Sequence, residues 1–175
     1  MAIVGMAVAT VQNPVRADVL AGWDFSTLTG GTGNWGPSPF APTTTAANLT
    51  AVGLTRGPAV SQPPSGTSST AAAGAWGDNT WWGGTAASDS LDSAITRGSY
   101  VTFALTPSDG YALSFSDVAP YNIRRSASGP SLGQWQFQVG SGSFTNIGST
   151  ITWGTSTVRN PGNPQSTISL SSITA

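Results

Sequence analysis

The stretch AWGDNTWWGG, residues 75–84, gathers the side chains best suited to hold a ligand. Trp76, Trp81 and Trp82 offer flat faces on which sugar rings can stack, and Asp78 and Asn79 between them supply hydroxyl partners. The same indoles could instead cap or fill a β domain otherwise rich in small residues. Asp78, Asp89 and Asp92 form a second candidate group, for Ca²⁺, a hard cation that takes about six to eight oxygens, many of them loop carbonyls. The spacing matches neither an EF-hand nor a glycine-aspartate repeat. Arg124 and Arg125 are a third candidate. Adjacent residues on a strand point to opposite faces, so one of the two can meet a ligand carboxylate or sulfate. The other then needs an Asp such as Asp117 or Asp24, because a buried unpaired charge is costly.

The absent residue types narrow the chemistry further. The chain has no His, Cys, Lys or Glu; its 6 cations are all Arg and its 7 anions all Asp. Zinc and copper sites of the usual kind, and Ser-His or Cys-His nucleophiles, cannot be built from this inventory. Neither can a Schiff base or a phosphate-binding P-loop lysine. An Asp pair could serve a glycosidase, but no spacing singles one out. The expectation is therefore a protein that is not an enzyme and needs no cofactor, Ca²⁺ aside. A net charge of -1 gives no electrostatic reason to expect nucleic acid as a partner.

These residues must be positioned by strands. Residues 19–25 (VLAGWDF), 49–54 (LTAVGL), 100–105 (YVTFAL), 111–115, 121–125, 134–139 (QWQFQV), 144–147, 151–153 and 168–170 read as short strands, several alternating with period two. Val101, Phe103 and Leu105 fall on one face. Pro107-Ser108-Asp109-Gly110 predicts a type I turn, and Gly140-Ser141-Gly142-Ser143 another turn. Residues 89–96 (DSLDSAIT) predict a short helix with Ser88 as its N-cap. Residues 26–47 and 57–84 read as loops. Many short strands joined by turns predict an all-β fold, a jelly-roll-like antiparallel β-sandwich.

The first residues read differently. AIVGMAVATV, residues 2–11, is an apolar run too short to span a bilayer; a Pro and small residues then lead to Ala17, as in the second half of a secretory signal peptide. No Lys or Arg precedes it. Residues 1–17 are thus expected to be a partial signal peptide, residues 18–175 a single exported domain, and no membrane span is expected.

The segments AGWDF (21–25), GPSPFAPTTTAANLT (36–50), GLTRG (53–57), AWG (75–77), YVTFALTPSDGYALSFSDV (100–118), YNIRRSASGPSLGQWQFQVGSGSFTNIG (121–148) and ITWG (151–154) resemble a group of secreted bacterial proteins that often carry a PEP-CTERM-type sorting tail. The resemblance implies an exported jelly-roll-like sandwich with no defined activity. Members of that group usually continue with further strands and the tail, so this chain reads as truncated, lacking its last strands. Such a sandwich exposes an edge that can pair with another chain. The expected function is a non-catalytic extracellular or cell-surface structural or adhesive module, with extracellular polysaccharide or other surface proteins as partners, or with itself in an oligomer or fibre. The alternative is a carbohydrate-binding module using Trp76, Trp81 or Trp82.

Overall fold

The computed structural model describes residues 13–15 (backbone alone), 19–60, 70–79, 81, 90–127, 129–158, 162–171 and 173. Short strands dominate, and the chain is all-β, as its alternation and turn residues predict. In order they are β1 (Asn13–Val15), β2 (Ala21–Gly22), β3 (Gly31–Thr32), β4 (Thr44–Thr45), β5 (Leu49–Arg56), β6 (Thr70–Ala71), β7 (Val101–Pro107), β8 (Tyr111–Leu113), β9 (Asp117–Val118), β10 (Tyr121–Ile123), β11 (Leu132–Phe137), β12 (Thr145–Thr152), β13 (Asn163–Gln165) and β14 (Ile168–Ser169). A 3₁₀ turn spans Pro58–Val60 and helix α1 spans Leu91–Arg97.

Among the described residues the strands form seven two-stranded ribbons. Six are antiparallel; β1 with β8 is the parallel one, pairing Asn13 with Tyr111 and Val15 with Leu113. β1 therefore lies within the stretch expected to be a signal peptide. The two long ribbons are β5–β7 and β11–β12. In β5 the register slips between Val52 and Thr55, where the Phe40 and Leu54 N–H groups each donate to the other's carbonyl at 2.9 Å. Gly53 permits that approach, because a Cβ there would collide with the Phe40 carbonyl. Among the described residues the buried apolar side chains are few and scattered: Phe40, Leu49, Val60, Ala71, Ala72, Ile147 and Leu170.

Local chemistry moves several boundaries. Of residues 19–25 only Ala21 and Gly22 pair, with Thr44 and Thr45. Residues 144–147 and 151–153, expected as separate strands, join in β12, with Gly148 at φ 64° absorbing the irregularity. The short pair β10–β13 brings in Asn163–Gln165, which contains a proline and gave no alternating signal. The helix starts later than expected. Ser90, extended at φ -120°, accepts a hydrogen bond from the Ser93 N–H at 3.1 Å and is the N-cap; Ser88 lies outside the described residues. Gly98 closes the helix in the left-handed conformation. A turn follows β7 but one residue later than expected, over 108–111, with Tyr111 N–H donating to Ser108 O at 3.0 Å; Gly110, its second central residue, has φ 81°, so it is not the type I turn expected over 107–110.

Candidate functional site

The cluster around residues 75–79 is organised by a side chain that sequence reasoning did not single out, Arg56 at the end of β5. Its backbone N–H donates to Ser38 Oγ at 2.9 Å, fixing the strand end against the preceding loop. Its guanidinium reaches across that loop. Nε donates to Gly77 O at 2.7 Å, and Nη2 donates to Trp35 O at 2.6 Å and Gly36 O at 2.8 Å. The guanidinium carbon stands 4.6 Å from the centre of the Trp76 ring, a cation–π contact. Asp78 Oδ2 lies 3.9 Å from Arg56 Nε, the two side chains being 7% and 4% exposed. Burial, against the opposing attraction of Asp78, lowers the Arg56 pKa from the usual arginine range.

Trp76 is fixed from its other end as well. Its Nε1 donates to Pro37 O at 2.7 Å, and Gly36 leaves room for the ring, since a Cβ there would stand 2.7 Å from Trp76 Cδ1. Asp78 Oδ1 accepts from the Asn79 N–H at 2.7 Å. Trp76 and Asp78 are thus joined, but to Arg56 and the loop rather than to each other as a free platform. Trp81 is half-buried and Asn79 exposed. Trp82 and Asp89 lie outside the described residues, and Asp92 is exposed on the first turn of α1. Among the described residues no three acidic side chains come together.

Arg124 and Arg125 lie beyond β10, which ends at Ile123 rather than continuing through 125 as expected; Arg124 is exposed and Arg125 half-buried. The partners of Arg125 are carbonyls. Nη1 donates to Gly154 O at 3.1 Å and Nη2 to Gly129 O and Ala127 O, while the buried Nε has no acceptor. Asp24 and Asp117, the expected carboxylate partners, accept instead from Ser26 and Ser116. The Arg–Asp pair that forms among the described residues is Arg56 with Asp78. Its acceptors lie some twenty residues away along the chain on either side, so no local signal in the sequence marks it.

A second set of side chains spans the two long ribbons. Trp23 meets Phe103 at 5.0 Å between ring centres, Phe103 meets Trp135 at 6.5 Å, Trp135 meets Tyr121 at 5.9 Å, and Tyr121 meets Trp153 at 6.4 Å. All four contacts are edge-to-face, the arrangement the ring quadrupoles favour in packed interiors. Trp135 Nε1 donates to the Tyr121 hydroxyl at 2.9 Å. Burial raises the Tyr121 pKa, and that hydrogen bond partly opposes the shift. The Trp153 ring packs against Gly133, where any Cβ would overlap it. Buried Asn163 donates Nδ2 to Ile123 O at 3.0 Å and Ser156 O at 2.8 Å, and its Oδ1 accepts from Ser156 N–H at 2.8 Å.

No family model, no curated protein and no solved structure matches the chain. No described helix is long and apolar enough to cross a membrane.

Proposed function

We propose that this chain is a non-catalytic structural or adhesive β-sandwich module of the bacterial cell exterior, working through its strands and their edges. The observation that carries this is β7, whose first four residues are all exposed although Val101 and Phe103 are apolar. An apolar, uncharged strand at the edge of a ribbon is a template for pairing with another chain. The signal-like residues 2–17 and the resemblance to secreted bacterial proteins support an extracellular location. The engagement of Arg56, Asp78, Trp76 and Tyr121 with neighbouring protein groups supports a role for these side chains in holding loops and ribbons together.

Carbohydrate binding at Trp76, Trp81 and Trp82 has less support. One face of Trp76 carries the Arg56 guanidinium and its N–H is committed to Pro37 O. Two measurements on the purified chain separate the alternatives: a glycan array, and retention on bacterial cell envelopes with the aggregation state followed in parallel. Envelope retention or assembly with a flat array is expected. Saturable binding to one glycan class, lost in Trp81→Ala, would replace the structural role with a carbohydrate-binding one.

A further inference from the structure

The backbone of β7 alternates in a way that fixes which of its groups face outward. Gly57 N–H donates to Tyr100 O at 2.8 Å and Ser108 N–H donates to Asn48 O at 3.0 Å. Tyr100 and Ser108 therefore face β5, and with period two so do Thr102, Ala104 and Thr106. The N–H and C=O groups of Val101, Phe103 and Leu105 face the opposite way. β7 pairs with β5 alone among the described residues, and the outward groups of these three have no partner there. Pro107 takes the next outward position, where its missing N–H costs no ladder bond. The side chains of Val101 and Phe103 are 39% and 38% exposed.

This edge is complementary to itself. We propose that β7 is a homotypic assembly strand, on which two copies of the chain join antiparallel about a two-fold axis at Phe103. In that register Phe103 faces Phe103 of the second copy and Val101 faces its Leu105, so all three outward residues of each strand exchange both hydrogen bonds. The strand itself carries no charge, so no like charges oppose each other across the axis. Arg97, at the end of α1, and Asp109, in the turn after β7, are both exposed and flank the strand; antiparallel docking turns the basic flank of each copy toward the acidic flank of the other. Val101, Phe103 and Leu105 share a side-chain face, so the apolar row would continue from one copy into the next. The inference rests on the assembly proposed above and names its edge, register and partner.

Cysteine pairing tests the register, because the chain has no cysteine of its own. Thr102 and Ala104 are exposed, and Thr102 would lie opposite Ala104 of the second copy in a non-hydrogen-bonded pair, the closer of the two spacings. Thr102→Cys and Ala104→Cys proteins, mixed and oxidised, are expected to give the mixed disulfide about tenfold over either homodimer, since a two-residue offset places like cysteines out of reach. In sedimentation velocity the unaltered chain is expected to dimerise with concentration. Val101→Pro, which removes an outward N–H from each copy, is expected to weaken the dimer by about tenfold or more while far-UV circular dichroism is retained. If that variant does not fold, the disulfide pattern decides alone. Association with a statistical disulfide mixture would overturn the β7 register and leave assembly standing. A monomer at every concentration would overturn both.

Discussion

Arg56 concentrates more bonding than any other described side chain near the Trp-rich loop, and removing it leaves more than a vacancy. Arg56→Ala would remove the ion pair with buried Asp78 and the side-chain donor to the Gly77 and Gly36 carbonyls, while Trp35 O keeps the Gly77 N–H. A loss of about 3–5 kcal/mol is expected, the cost of breaking a buried pair from one side. Arg56→Met with Asp78→Asn should recover part of it, because the buried carboxylate charge goes with its cation; urea midpoints of the two variants give the comparison. Gly133→Ala is expected to cost about 1–3 kcal/mol by overpacking against Trp153, with a shift in tryptophan emission. Tyr121 sets an alkaline limit. Its folded pKa is raised above the ordinary tyrosine value of about 10, so the folded state holds the neutral phenol more tightly than the unfolded chain does. Its contribution is complete below pH about 10 and is lost as pH climbs through the folded value. Absorbance of the phenolate should show Tyr121 titrating above that ordinary value, and Tyr121→Phe should flatten the alkaline fall in stability.

At the scale of elements, the N-cap offers the cleanest test. Ser90→Ala should destabilise α1 by about 1 kcal/mol, seen as reduced amide protection at Ser93. Sequence alternation found β5, β7, β11 and most of β12, because each is long enough for its period to emerge from noise. Gly110 and the 140–142 turn were legible for a local reason, the need for a positive φ. β13 was not, since its strand character comes from pairing with β10 across some forty residues rather than from its own residues. The candidate site was half legible. Large aromatic residues announced the Trp76 loop, but its organiser sits on another strand and meets it only in space. The N-cap was misplaced by two residues because both Ser88 and Ser90 have the side chain for the task, and only the backbone geometry selects one.

For the whole molecule, cohesion comes from side chains more than from continuous sheet. Seven separate ribbons share no single ladder among the described residues, and among those residues the Phe103–Trp135 ring contact crosses from β5–β7 to β11–β12. Trp135→Ala is therefore expected to cost about 2–3 kcal/mol, less than a fully buried indole. It should also lower amide protection in both long ribbons together, whereas Arg56→Ala should act mainly on the Trp-rich loop. The same row of rings has an optical consequence. Light absorbed by Tyr121 passes to the adjoining indoles of Trp135 and Trp153, and Phe103 stands as a silent spacer before Trp23. The chain thereby carries its own unlabelled ruler between β10 and the β11–β12 ribbon, one that would brighten at the tyrosine wavelength when those two part.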